Sequence, residues 1–553
     1  MINNNGKQNT YTGTTTFIYT SKYIGDIDLE KTCEVLGKSN AFGFAMTNQG
    51  KIYYKNNGKL KSDKIYLDAT ITGEGMTVKG HDTFMKANEG TSSIYAFSIA
   101  INAFLSEQKL FNSPYGFPNE SAKAFMGPIA IKYDSMSNYE LVMPYFKIYK
   151  CGTICLSLKN ADEFENLTTR EVIQQTNKSR IHIESLLCGR ELYLACVETM
   201  LSQTPKAERL CQRDSYTSAL DSALAAPKNI TFLDDQITAY ELVQTDKFTL
   251  TDLARNLLSL VARAVSFGAV QTRIRWHANQ YINEPIGQHW RGKPIINIRT
   301  HSKQLPSSAM NWSNHKQLVN SILARTPLPE DYAQHIFEPN DMRQLDDYNN
   351  FYSESVSLLL SSSQVTSFIE NNDSYSFDNL TSDIQCLNEA AHYILTFYSY
   401  ASLELDKCKT AIDVARTEMK IMEFEESLLS AQKFGEVAKY IEEIQKGDQL
   451  KFICKTLHKK IETTSKAFEL DEKIASESFN RSISIIFGVM ASAILSPELM
   501  QPLAKYISVA SADENINKLM GIIASTLMIA SVVALTHCIY KIKAWMSKRF
   551  KRI

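Results

Sequence analysis

Between Thr272 and Lys303 the chain reads TRIRWHANQYINEPIGQHWRGKPIINIRTHSK, with four arginines, two lysines, three histidines, two tryptophans and Glu284 as its single acid. Guanidinium forks suit phosphate oxygens, and an indole or imidazole face stacks on a base. Arg273, Arg275, Trp276, His277, His289, Trp290, Arg291 and Lys293 are therefore the candidate ligand-binding residues, and the ligand they suit is a nucleotide-like anion. The competing reading is a solvated loop whose tryptophans plug the local core. A metal site is not expected: His277, His289 and His301 recur every twelve residues, with no HxH or HxxxH pair to chelate an ion. GEGMTVKG (73–80) lacks both the GxGxxG spacing and a terminal Lys-Ser/Thr, and reads as a turn between strands. With no GxSxG, HExxH or kinase-type loop, no catalytic residue is assigned and the chain is read as a non-enzyme.

A second pattern could serve transport. Asn480, Ser484, Gly488, Ser492 and Ser496 recur every fourth residue and form one slightly slanting stripe on a helix. Around an axis of several copies the stripe would line a pore; within a helix pair it would serve close packing of small residues. The stripe lies in a stretch, Ser482 to Pro497, without a charge, and a second uncharged run extends from Leu519 to Tyr540. As a helix the second run is roughly 33 Å long, against a hydrocarbon core of about 30 Å, and the first reaches about 24 Å. Together they predict a transmembrane hairpin. The tail KIKAWMSKRFKRI carries six Lys or Arg and no acid, which places both termini in the cytoplasm.

The elements that must carry these residues are legible in outline. A chain of 553 residues has room for two to four domains, and a net charge of −1 lacks the basic excess of a nucleic-acid binder, so no direct nucleic-acid partner is expected. Ten scattered cysteines with no CxxC read as free thiols. No secretory signal opens the chain. Short β-branched and aromatic runs with Asn-Gln-Gly and Asn-Asn-Gly turns, interleaved with helical segments, predict a mixed α and β domain over 1–225. Residues 226–340 read as a helical and irregular basic-aromatic region, the candidate ligand site. Residues 341–480 read as a long helical hairpin stalk. Ile384, Leu387, Ala391, Ile394, Tyr398, Ala401, Leu405, Cys408, Ile412, Ala415, Met419 and Met422 alternate at spacings of three and four, a continuous packing seam. Lys446-Gly447-Asp448 reads as the turn after which a second helix runs on. Residues 481–553 are the hairpin and its basic tail. The fold class expected is thus an α+β membrane protein: a cytoplasmic mixed α/β domain, a long antiparallel helical stalk and a C-terminal two-helix transmembrane hairpin.

This layout, with the long helices of 341–480, the two apolar runs and the basic tail, resembles the CorA-like two-span ion channel and transporter family, in a divergent branch. SPELMQPL stands where that family has its Gly-Met-Asn motif, and no glycine occurs between Gly488 and Gly521. The resemblance implies a homo-oligomer, a pentamer, in the lipid bilayer of a bacterial inner membrane, with the stripe Asn480 to Ser496 facing the pore. The large cytoplasmic part is similar to that of the branch found beside type III CRISPR systems, which implies an ion channel gated in antiviral defence by a nucleotide effector, adenylated S-adenosylmethionine (SAM-AMP), and no other cofactor. A divalent cation (Mg) transporter and a membrane-anchored cytoplasmic enzyme are the alternative functions.

Overall fold

The computed structural model describes residues 9–495 apart from 24–26, 40, 70–75, 112–116, 135, 191, 194–226, 243–247, 270–291, 330–338, 344, 373–374 and 432–434, together with Ser531 and Leu535. Two compact units are formed, Met1–Asp406 with Thr417–Leu457, and Lys407–Arg416 with His458–Ile553. The first unit holds a sheet of fifteen strands. Its strands are β1 (Thr10–Lys22), β2 (Phe42–Thr47), β3 (Lys51–Asn56), β4 (Lys59–Lys64), β7 (Ser121–Met126), β8 (Ile129–Tyr133), β9 (Glu140–Tyr149), β10 (Thr153–Asn160), β11 (Phe164–Thr168), β12 (Ile183–Cys188), β13 (Lys228–Phe232), β14 (Asp235–Glu241), β15 (Lys293–His301), β16 (Tyr348–Tyr352) and β17 (Ser357–Ser361). β5 (Tyr66–Ala69) and β6 (Met76–Lys79) form a separate pair on either side of 70–75.

The main path through the sheet is β13-β14-β12-β8-β9-β10-β1-β15-β17-β16, with β11 beside β1 and a branch from β9 through β7 and β2 to β3 and β4. The β15–β17 pairing is parallel, and the other pairings of this sheet are antiparallel. Local chemistry explains the hairpins. Between β3 and β4 the chain turns at Asn57-Gly58, both at positive φ (50° and 76°), the two-residue turn that Asn-Gly favours because its twist matches the strands. One sheet takes in strands from residue 10 to residue 361, so it runs across the boundaries expected at 225 and 340.

The helices are α1 (Leu29–Lys38), α2 (Asp82–Ala87), α3 (Thr91–Leu110), α4 (Thr169–Asn177), α5 (Leu250–Ala269), α6 (Ser308–Ala324), α7 (Ser363–Glu370), α8 (Phe377–Lys407), α9 (Ala411–Ala431), α10 (Gly435–Lys446) and α11 (Asp448–Leu495). One face of the sheet is apolar. Phe17, Tyr19, Phe146, Ile148, Leu156 and Leu158 bury against Leu36 of α1 and Leu253, Leu257 and Val261 of α5. Further along, Ile296, Ile298, Leu358 and Leu360 meet Val172 of α4 and Leu318 and Ile322 of α6. On the opposite face α3 packs Phe97, Ala100 and Phe104 near Phe44, Phe125 and Tyr145. Beside α3, helix α8 crosses strands whose side chains are largely polar.

The expected architecture is corrected in three places. A fifteen-stranded mixed sheet, not a stalk, dominates the molecule, and α8 belongs to its core: Ile384, Leu387, Ala391, Ile394, Tyr398, Ala401 and Leu405 are all buried. The seam does not run on one helix. Thr410 Oγ1 accepts from the Asp413 amide at 3.2 Å while the Asp413 carboxylate accepts from the Thr410 amide at 3.1 Å, a reciprocal cap that starts a new helix after Cys408–Thr410. Among the described residues no helix is long and apolar enough to cross a membrane, which overturns the transmembrane hairpin and the membrane-channel reading built on it. The physical reason is visible in the sequence of α11: it is charged from Asp448 to Arg481, and the uncharged run that follows, Ser482 to Pro497, would be about 24 Å long as a helix, short of a 30 Å hydrocarbon core. The second run, 519–540, lies outside the described residues except for Ser531 and Leu535.

Candidate functional site

A single lysine on each of β7 and β9 sets up the site. The antiparallel register places Lys123 opposite Lys147, both on the face away from Phe146 and Ile148. Two ammonium groups side by side in a protein interior would be strongly destabilising without counter-charges. Two helices supply them. Glu107 of α3 lies 2.9 Å from Lys147 and 3.6 Å from Lys123, and Glu389 of α8 lies 3.1 Å from Lys123 and 3.4 Å from Lys147. Lys147 and Glu389 are completely buried, and Lys123 and Glu107 nearly so.

Electrostatics keep the group ionised. Burial opposes the charge on Lys147, but Glu107, then Tyr149 and Glu389, outweigh it and hold the ammonium well above its ordinary range. Lys123 is likewise raised against burial, chiefly by Glu389. Burial would push the Glu389 carboxyl up, yet Lys123 and Lys147 hold it below its ordinary value. The result is a neutral square of two cations and two anions, tied to four elements of the fold, β7, β9, α3 and α8.

From this square a polar layer extends along α8. Gln385 donates to Ser157 Oγ of β10 at 2.7 Å and to Glu389 at 3.2 Å. Lys159 of β10 pairs with Asp378 at 3.0 Å, and Lys109 of α3 with Asp383 at 2.6 Å. Asn388 donates to Ser357 Oγ of β17 at 3.0 Å, and His392 Nδ1 lies 3.2 Å from Thr20 Oγ1 of β1. Burial and then the nearby Lys293 charge push the His392 imidazole down, so it is neutral at physiological pH. Two narrow crevices border the layer, one lined in part by Thr16, Lys159, Asn297 and Gln385, the other by Glu107 and Lys123, each with room for about one water molecule.

Glu107, Cys386 and Glu389 bring potential ligand atoms within 4.8 Å of one another. The residues do not fit a metal ion. Two lysine ammonium groups already take the carboxylates, and burial drives the Cys386 thiol far above its ordinary pKa, away from the thiolate that binds metals. The arrangement ties α8 to α3 and to the sheet through four buried ion-pair contacts.

Of the ligand-binding residues expected from sequence, Arg273, Arg275, Trp276, His277, His289, Trp290 and Arg291 lie outside the described residues. Lys293 opens β15 and is buried, with Nζ 3.5 Å from the ring centroid of Tyr352 on β16. Burial, reinforced by Arg325 and only partly offset by Glu354, pushes its amine well below the ordinary lysine range. In the stripe, Asn480, Ser484 and Gly488 are exposed along α11; of Ser492 only the helical backbone is described, and Ser496 lies outside. Sequence reasoning passed over the Lys123–Lys147–Glu107–Glu389 square. The available signal was a lone charge inside each apolar run: Lys123 in SAKAFM, Lys147 in PYFKIY and Glu389 in CLNEAAHYIL.

A second cluster lies at the far end of β15. The rings of His301 and His315 meet edge to face with centroids 4.5 Å apart, and each centroid is 6.2 Å from that of Tyr11. Burial first, then His315, pushes the His301 imidazole down to about 3; burial likewise lowers His315. Set against known proteins, the chain matches no family model, no curated protein and no solved structure.

Proposed function

We propose that this chain is a ligand-responsive regulatory protein without catalytic activity of its own, in which a nucleotide-like anion held by the basic-aromatic stretch alters the docking of α8 on the polar face of the sheet. The observation that carries the reading is the α8 layer itself: a helix with a buried apolar seam that is also attached to its sheet by buried ion pairs and amide hydrogen bonds. Buried charge of this kind adds little net stability but distinguishes one docked arrangement from all others. Lys293 supports the link to the ligand. It lies within the basic-aromatic stretch, beneath Tyr352, and its charged form acts on His392 of α8. Phosphate nearby would favour the charged ammonium and so change the field on that helix.

The ligand must bind one docking state better than the other, since equal affinity shifts nothing. Amide hydrogen exchange of the full chain, with and without ATP, ADP, AMP or SAM-AMP, tests this directly. At least one nucleotide is expected to change exchange in peptides covering Phe377–Lys407, with the change abolished by Arg273→Ala/Arg275→Ala. An unchanged α8 at saturating nucleotide would end the proposal, and so would steady turnover of the nucleotide, which would make the protein an enzyme.

A further inference from the structure

Donor groups without acceptors gather beside the residue that leads into β15. Arg325 follows α6 in the left-handed region (φ 55°), and its carbonyl accepts from the Asn177 side chain at 3.2 Å, which holds the 3-10 turn Lys178–Arg180 close to it. Its guanidinium donates to the Gly292 carbonyl at 3.1 Å. Gly292, at φ 80°, lies against Tyr19 of β1 so closely that a Cβ would stand 2.4 Å from the Tyr19 hydroxyl oxygen. Thr251 of α5 reaches the Ser179 carbonyl at 3.5 Å and adjoins the Tyr19 hydroxyl without the geometry of a hydrogen bond.

Three buried donors here have no partner among the described residues: the Tyr19 hydroxyl, the Ser179 hydroxyl and the Arg325 Nε–H. Tyr19 and Ser179 are only 1 and 2 % exposed. An unmet buried donor is costly, and several in one place call for an acceptor. Arg180, at the exposed end of the turn, adds a second cation: burial first, and then the Arg180 charge, lower the Arg325 guanidinium to about 10. Asp252, the acid whose charge reaches Tyr19, is taken up by Arg255 at 3.1 Å and by the amide and hydroxyl of Thr249 at 3.0 and 2.7 Å. Two guanidinium groups and two hydroxyls are the donor set of an anion with several oxygens. We propose that Arg325, Arg180, Tyr19 and Ser179 bind a phosphoryl group, either free phosphate or part of a nucleotide. The site deepens the function proposed above and rests on that reading for what the phosphoryl group is attached to. After burial, Arg325 is the charge that lowers the Lys293 amine, and Lys293 bears in turn on His392 of α8. A dianion at Arg325 offsets that repulsion, which gives the ligand a route to α8 through fixed charges.

Isothermal titration of the full chain with inorganic phosphate, pyrophosphate and ATP, at constant ionic strength, tests the site. Saturable binding of at least one probe is expected. Arg180→Gln removes an exposed charge and Tyr19→Phe keeps the buried ring, so each should weaken binding about tenfold without lowering the melting temperature. Arg180→Lys should retain part of the affinity. ATP bound more tightly than pyrophosphate would assign a nucleotide, and equal binding a free phosphate; either supports the site. Binding of no probe overturns it, and so does binding that both variants leave unchanged. Exchange in Phe377–Lys407 separates this site from the function proposed above. If ATP alters it equally in the wild type and both variants, that function stands and this site falls. If binding depends on Arg180 and Tyr19 while α8 is indifferent to ATP, the site stands and that function falls.

Discussion

At the scale of single residues, Glu389 carries the largest energetic burden, because it is fully buried and faces two buried ammonium groups. Glu389→Gln would leave Lys123 buried without its principal counter-charge, and stability should fall by about 3–5 kcal/mol in urea denaturation. Pairing it with Lys123→Met should recover part of the loss, since the Lys147–Glu107 ion pair at 2.9 Å then remains balanced. The histidine cluster makes a separate prediction in pH. His301 has its folded-state pKa pushed down to about 3 from 6.5, so the unfolded chain binds the proton first. Its contribution is complete above pH 6.5 and is lost as pH falls toward 3; between pH 7.5 and 5 the loss is about 2 kcal/mol. His315 shifts in the same direction. His301→Phe should flatten the dependence of stability on pH over that interval, and an unchanged slope would show that the imidazole does not titrate in this way.

Elements take their meaning from what faces them. The seam Ile384 to Leu405 was legible as a period in α8, because spacing alone encodes it. Its partner was not. Whether such a seam meets a sheet, a second helix or another chain depends on pairings hundreds of residues away, as between Gln385 and Ser157. The break before α9 was written in Thr410 and Asp413, but a cap inside a regular period is easily outweighed by the period. The β1–β15 pairing has a marker of its own at Gly13, where a Cβ would stand 2.0 Å from the Asn297 carbonyl oxygen. Gly13→Ala must therefore push the two strands apart at their register shift, and a loss of about 1–3 kcal/mol in thermal or urea unfolding is expected. Gly43→Ala, whose Cβ would come no closer than 4.0 Å to a neighbour, serves as the control within the same sheet.

For the whole molecule, what could be read from sequence was local: the strand-rich beginning, the Asn-Gly hairpin and the turn at Gly447, whose amide reaches the Glu443 and Ile444 carbonyls before α11 begins. The fifteen-stranded sheet was out of reach because β1, β10 and β15 are neighbours only in space. The uncharged run that begins at Ser482 was overweighted for a related reason: absence of charge alone does not make a span, and length must be counted as well. The charged square was hidden by the same averaging, since single lysines vanish within apolar strands. The central pairing also has a consequence for synthesis. Thr16 of β1 waits for Ile295 of β15, about 280 residues later in the chain. At about 5–20 residues per second on the ribosome, one edge of β1 stays open for roughly 14 to 56 s after that strand is made. During that interval a Thr-rich strand with unpaired amides is presented to every other nascent chain nearby, so production of this protein should depend on chaperone supply and on translation speed more than its finished stability would suggest.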